Sequence, residues 1–488
     1  MEISNLLDQI IGSVPFFKPE LSLLIGFVIC ILASLFLQKK LKDSPFWLSL
    51  LSFLAAFAFL IPQLNQPAEG FFDMLIIDNL SVYARMLTLL GSILTAIFIQ
   101  QRHPHNNGDV YSILLAATIG MQLLCVSSHW LVLFIGIETV SIASYILVGY
   151  FAQDKKQSEA TMKYALFGSV CAAIMLYGLS LIYGLTGDLN FQSTAAIQGL
   201  IAAPEIIIIL ALLFVFVGIG FKLGFVPFHV WTPDVYQGAP TAITAFISTV
   251  PKVGAIVLLA RLYKAWSATG FYFSDLLSWM LVLIAIATML VGNLAALRQS
   301  NVKRMMAYSS IGHTGFLLMA VFAYSESYNY LLFYLFAYVL MNFATFLFID
   351  QIEQEVGSSE LKDFAGLGKK LPVLFTAFTF TAIALIGLPP TMGFVGKLLV
   401  FSSVFSLYQQ FDEPALLLLL IVGALTSVIS LFYYFKIPLY GFLRESNTDK
   451  RARTNAASRI LLIIALIMTV CVFLLGIFPD LLLDILIA

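Results

Sequence analysis

The chain has 488 residues, 60% of them hydrophobic and only 11% charged, with a mean hydropathy of +0.95, which excludes a soluble globular protein and places it among polytopic membrane proteins. A formal net charge of −1 argues for neither nucleic acid nor an acidic soluble partner, because the placement of the charges outweighs their sum. The four cysteines, Cys30, Cys125, Cys171 and Cys471, stand singly in apolar runs with no CxxC and no neighbouring histidine, so spacing offers no disulfide framework, zinc site or cluster site.

The amino-terminal stretch MEISNLLDQIIGSVPFFKPE is acidic and lacks the basic region and cleavage site of a signal peptide, so the first helix is expected to be kept. A membrane-crossing helix needs roughly 20 mostly apolar residues. On that criterion about fourteen spans are predicted, at 20–37, 46–63, 80–100, 110–127, 129–150, 163–187, 205–227, 240–262, 277–297, 305–323, 329–349, 372–407, 415–437 and 458–477. The seventh run carries Lys222 and is interrupted at Pro227; a short amphipathic connection leads to the eighth, which carries Lys252. The twelfth is too long for one crossing and is interrupted by Gly387, Pro389, Pro390 and Gly393, the mark of a broken helix. The expected fold class is an all-α polytopic membrane protein.

Basic loops stay in the cytoplasm. With the amino terminus outside, the clusters at Lys39, Lys40 and Lys42, at Lys155 and Lys156, at Lys303 and Arg304, at Lys369 and Lys370, and at Lys450, Arg451 and Arg453 are all cytoplasmic, and only Lys18, Arg261 and Lys264 face outward. Both termini are then external. Arg85, Lys222, Lys252 and Lys397 fall within spans, where a charge costs about 2.5–3.5 kcal/mol and asks for a reason. Arg85 sits about one turn from the outer end of its helix, from which its head group can snorkel to the surface; the lysines are deeper.

Two interrupted helices in corresponding positions point to an inverted repeat with a midplane site. Aligning Lys222 with Lys397 gives an offset of 175 residues, which carries the fourth span close to the ninth and Glu138, read as the only acid well inside a span, onto His313, the only histidine in mid-helix. Lys252 falls on Ser427. Helices 4–8 thus repeat as 9–13, and five being odd, the second copy is inverted. The expected segments are 1–105 with three helices, 106–270 and 271–440 as the repeats, and 441–488 with the last helix.

Burial disfavours the charged forms of lysine and glutamate, and an opposite charge nearby favours them. A Glu/Lys pair that opens and closes is therefore a proton switch, and further lysines or a histidine on a hydrated line can relay the proton. The alternative for Glu138 and Lys222 is a static ion pair that fixes packing, and for His313 a hydrogen bond within the bundle. His229 reads as a loop-ordering residue, and His103, His105 and His129 as surface residues. The glycines of GIGFKLG lack the preceding strand of a dinucleotide site. No residue set for flavin, haem or an iron–sulfur cluster is present, so the chain is expected to carry no electrons itself.

FKLGFVPFHVWTPDVYQGAPTAITAFISTVPK, AYSSIGHTGF, GLPPTMGFVGK and LFIGIETVSIASY together resemble the antiporter-like membrane subunits of proton-pumping NADH:quinone oxidoreductase, respiratory complex I, over residues 75–440. PDVYQGAPT followed by PK, with Lys397 at the second break, is most similar to the subunit N branch. The resemblance implies Glu138 and Lys222 as the switchable pair of a first half-channel, Lys252 as central relay, His313 on the central hydrophilic axis and Lys397 as the group of a second half-channel. It also implies that NADH, flavin, iron–sulfur clusters and quinone are used in other subunits. Expected partners are small membrane subunits and a neighbouring antiporter-like subunit whose glutamate pairs with Lys397, within a bilayer that is most simply a bacterial inner membrane. A large subunit of a multi-subunit cation/proton antiporter is the alternative, and a scaffold without ion movement the blander one.

Overall fold

In a computed structural model of the chain, residues 3–38, 40–103, 108–152, 154–267, 272–323, 328–445 and 459–487 are described. His105, Lys39, Lys450, Arg451 and Arg453 lie outside the described residues, as do the expected segment boundaries at 105 and 270.

The helices are α1 (Ile3–Ser13), α2 (Lys18–Leu32), α3 (Ser44–Leu60), α4 (Asn79–Arg102), α5 (Asp109–Val126), α6 (Trp130–Gly149), α7 (Lys155–Thr186), α8 (Thr194–Ala202), α9 (Glu205–Leu223), α10 (Trp231–Gly238) and α11 (Thr241–Ser267). They continue as α12 (Tyr272–Leu297), α13 (Val302–Ala323), α14 (Tyr328–Val356), α15 (Leu367–Lys370), α16 (Pro372–Ile386), α17 (Met392–Phe411), α18 (Pro414–Tyr434), α19 (Lys436–Pro438), α20 (Arg459–Ile477) and α21 (Asp480–Ile487). A small antiparallel hairpin, β1 (Ala68–Gly70) with β2 (Leu75–Ile77), pairs Ala68 with Ile77. Among the described residues, 14 helices are long and apolar enough to cross a membrane. The first of these reaches back to Asn5, further than the expected start at 20, because the apolar residues of α1 continue into α2 through a single 3-10 turn.

Polar side chains mark the helix starts. Asp78 accepts from the Ser81 amide at 2.8 Å and Ser81 returns its hydroxyl as a capping box for α4. Asp154 and Thr391 cap α7 and α17 in the same manner, each from its side chain to an amide of the first turn.

By contacts the chain divides into two compact units. The first is Met1–Leu223 with Val250–Leu277; in it α2 packs on α3 and α5, α5 on α6, α6 on α7, and α7 on α9. The second is Gly224–Thr249 with Ser278–Ala488, where α13 packs on α10, α14 and α17, and α14 also on α16, α17 and α20.

Burial separates the helices by role. The hydrophobic windows of α11 and α13 are 100% and 94% buried, whereas those of the first and last spans are only 28% buried. The latter expose Leu24, Val28, Ile463 and Ile467, an apolar surface suited to lipid. The helices that carry Lys252 and His313 are therefore enclosed by protein.

Three sequence expectations are corrected. Arg85 does not snorkel: it is 0% exposed, and its guanidinium donates to Glu20 at 3.0 Å, to Gln63 at 2.6 Å and to the Ser81 carbonyl at 3.4 Å. Glu138 is not the only acid inside a span, since Glu20 lies in the first one and is 1% exposed; its partner is 65 residues away, beyond the reach of local spacing. His129 is not a surface residue but 8% exposed, with Nδ1 accepting from the Leu131 amide at 3.2 Å to cap α6.

Candidate functional site

In the first unit, Glu138, Ser141 and Tyr145 recur along one face of α6. The Lys222 ammonium, on the last turn of α9, donates to the Ser141 hydroxyl at 3.1 Å, and Ser141 also meets Tyr145. Lys222 is 2% exposed. Glu138 interacts with it electrostatically, but among the described residues the two do not approach within the 4.0 Å of an ion pair. Glu138 Oε1 is buried and unpartnered. Serine thus holds the ammonium, and the carboxylate stands outside ion-pair distance.

Both breaks are real and share a form. α9 ends at Leu223, and Gly224 follows with φ +67° and a cis Val226–Pro227 bond. α16 ends at Ile386, and Gly387 follows with φ +86° and a cis Pro389–Pro390 bond. The breaks therefore register at an offset of 163 residues, Gly224 on Gly387 and Pro227 on Pro390, not at the 175 that aligns the lysines. Lys222 precedes its break in α9, whereas Lys397 follows its break in α17. The two lysines approach their breaks from opposite helices.

Lys397 reaches back across its break. Its ammonium donates to the Ile386 carbonyl at 2.8 Å and the Leu385 carbonyl at 3.4 Å, the free acceptors at the end of α16, and to Ser427 at 3.5 Å. A helix carboxyl end favours a cation, and the Phe316 ring lies 4.5 Å from the same nitrogen. Gly387 permits this twice over: its φ suits glycine, and a Cβ there would stand 2.8 Å from Lys397 Cδ. No carboxylate lies within 4.0 Å of Lys397 among the described residues.

Lys252 is 2% exposed on α11, directly after Pro251 in the helix interior. His313 is 3% exposed on α13, with Nδ1 at 2.9 Å from the Tyr334 hydroxyl and Nε2 at 3.3 Å from that of Tyr434. Tyr434 also meets the Ser309 hydroxyl. Ser310 meets Tyr338 at 2.8 Å, and Tyr338 donates to the Ser248 carbonyl at 2.7 Å. His313 thus sits in a buried cluster of hydroxyls that can exchange protons with it.

Sequence reasoning missed this cluster, because tyrosines at helical spacing in apolar runs read as packing residues. It also missed the pairs Lys303–Glu353 at 3.7 Å and Arg304–Asp234 at 2.5 Å, whose cations look like loop charges. His229 is half-buried, its carbonyl accepting from the Thr232 amide at 2.9 Å within the first break. Among the described residues no group of three or more His, Cys, Asp or Glu side chains gathers as for a metal.

A family model described as NADH:quinone oxidoreductase/Mrp antiporter, TM, matches residues 127–430. The NADH-quinone oxidoreductase subunit N of Chlorobium chlorochromatii (strain CaD3) is 37% identical over 471 residues, 94% of this chain and 91% of that protein. Among solved structures, a chain of respiratory complex I from Thermus thermophilus with bound aureothin superposes with a TM-score of 0.79 at 30% identity, over 96% of this chain and 98% of that one. A chain of the Mrp complex from Dietzia sp. DQ12-45-1b gives a TM-score of 0.81 at 21% identity, over 98% and 96%, a likeness of fold alone. The chain belongs to the NADH:quinone oxidoreductase/Mrp antiporter transmembrane family, on its NADH-quinone oxidoreductase subunit N branch.

Proposed function

We propose that the chain is a membrane-arm subunit of a proton-translocating NADH:quinone oxidoreductase, in which electron transfer in other subunits drives protons through two half-channels of this one. Glu138 and Lys222 form the switch of the first, Lys252 is the central relay, His313 belongs to the hydrophilic axis, and Lys397 serves the second. The observation that carries this reading is the set of four buried basic side chains, Lys222, Lys252, His313 and Lys397, at 2%, 2%, 3% and 7% exposure, with Lys222 and His313 held by hydroxyls and Lys397 by helix-end carbonyls.

Neutral acceptors around a cation leave it free to lose its proton when the nearby charge changes, whereas a close ion pair holds it charged. Pairing of Lys397 with a glutamate of a neighbouring antiporter-like subunit would supply the missing acid. The setting is a bacterial inner membrane with both termini external, among other membrane-arm subunits, with NADH, flavin, iron–sulfur clusters and quinone handled by partners. Purification through a tag on this chain tests the assembly: partners bearing flavin and iron–sulfur clusters, with NADH–quinone turnover, are expected. Their absence together with a sodium-exchange phenotype would contradict it and favour a cation/proton antiporter.

A further inference from the structure

The second unit holds a polar stripe that begins at a partly exposed acid and ends at His313. Glu353, near the carboxyl end of α14, has a side chain 20% exposed, while that of its partner Lys303 is 7% exposed. Glu353 Oε2 accepts the Thr241 hydroxyl at 2.5 Å, and Lys303 donates to the Ala239 carbonyl at 2.8 Å and to Thr241 at 3.4 Å. An ordinary surface ion pair leaves both partners hydrated. Here the cation is drawn inward and only the carboxylate meets the outside.

From this mouth the polar groups continue inward. The Thr244 hydroxyl faces the Ala239 and Tyr236 carbonyls at 3.4 and 3.3 Å. The Tyr236 hydroxyl lies 3.4 Å from Ser310, which meets Tyr338, whose ring centroid is 5.7 Å from that of His313. The register is helical: Lys303, Ser310 and His313 share one face of α13, and Tyr338, Asn342 and Glu353 share one of α14. Asn342 is fully buried, and among the described residues its Oδ1 has no hydrogen-bond partner, so the stripe contains an acceptor suited to an ordered water.

We propose that Glu353 and Lys303 form the mouth of a proton-input path that runs through the hydroxyls of Thr241, Tyr236, Ser310 and Tyr338, with waters between them, to His313. This deepens the proton-translocation reading and rests on it. A proton from bulk water adds to the Glu353 carboxylate, and the neighbouring Lys303 charge favours its onward release. Each hydroxyl, and each water between them, accepts one proton and passes on its own, so that every relay group ends neutral and a ring nitrogen of His313 gains the proton. The charge distribution in the loops puts this mouth on the cytoplasmic side, where uptake has to occur.

The test uses the assembled complex in proteoliposomes, following NADH–quinone turnover and proton translocation together. Glu353→Gln is expected to slow translocation several-fold, Glu353→Asp to keep most of it, and imidazole in the outer buffer to restore the glutamine variant by carrying protons to the mouth. Tyr338→Phe, which keeps the ring, is expected to slow translocation without rescue by imidazole, because its block is internal. Wild-type translocation in Glu353→Gln or Tyr338→Phe, or a slow Glu353→Gln that imidazole leaves slow, would overturn the proposal. Lys222→Ala measured alongside separates the two levels. If it is slow while Glu353→Gln is normal, only the inlet is wrong; if it too is normal, the translocation reading fails.

Discussion

Replacing Arg85 by methionine tests the reasoning about buried charge in the first unit. Among the described residues the guanidinium is the only ion-pair partner of Glu20, at 3.0 Å, and Glu20 Oε2 is already buried without a hydrogen-bond partner. Arg85→Met therefore leaves a carboxylate 1% exposed with no compensating charge, a change that costs about 3–5 kcal/mol. It also strands the Gln63 carbonyl oxygen, which accepts from Arg85 at 2.6 Å, although the Gln63 amide keeps its bond to the Phe16 carbonyl at 3.0 Å. Adding Glu20→Gln removes the charge itself, so the double variant is expected to be more stable than Arg85→Met alone, by about 2 kcal/mol or more. Unfolding of the purified chain in mixed micelles by SDS titration measures all four corners of the cycle. An Arg85→Met variant within about 1 kcal/mol of wild type, or a double variant with the two costs simply added, would refute the argument that this pair is sealed from water.

The other predictions concern the breaks, the hydroxyl cluster and the loop before α6. A Cβ at Gly393 would stand 1.9 Å from the Ala384 carbonyl oxygen, so Gly393→Ala has to spread α16 from α17; we expect a loss of about 1–3 kcal/mol in the same titration, with slowed translocation. Tyr434→Phe removes the hydroxyl shared by His313 and Ser309 and is expected to slow proton translocation while costing only about 1 kcal/mol of stability. His129 lies just outside its span, and burial lowers its imidazole below the ordinary 6.5, opposed by Asp188. A folded value below the unfolded one means that the His129 contribution is fully present above pH 6.5 and is lost as pH falls through the lowered value. Protonation at Nδ1 would also break the cap to Leu131. His129→Asn, which caps without titrating, is expected to flatten the stability profile between pH 7 and 5.

What the sequence made legible is what local chemistry dictates. Apolar run length gave the spans, because each crossing has to satisfy its own backbone, and Pro227 in the seventh run and Gly387, Pro389, Pro390 and Gly393 in the twelfth gave the breaks. The lysines stood out because charge in an apolar run is expensive. Long-range partners were not legible: Glu20 and Arg85 are 65 residues apart, and only the packing of α2 beside α5 and α3 beside α4 brings their ends together. The repeat register was misleading in one respect. Aligning lysine with lysine presumes equivalent positions, whereas the backbone aligns glycine with glycine, and Lys397 reaches its break from the far helix because Gly387 leaves room for its side chain. Lys303 was hidden for a different reason: a cation beside a loop reads as hydrated, and its burial comes from Thr241 and Glu353 on two other helices.

The most direct test of the central claim is proton translocation by the reconstituted complex carrying Lys222→Ala or Lys252→Ala, with subunit composition and NADH oxidation by the detached redox partners measured on the same samples. The account predicts normal assembly with lowered translocation in each variant. Normal assembly with wild-type translocation in both would contradict it.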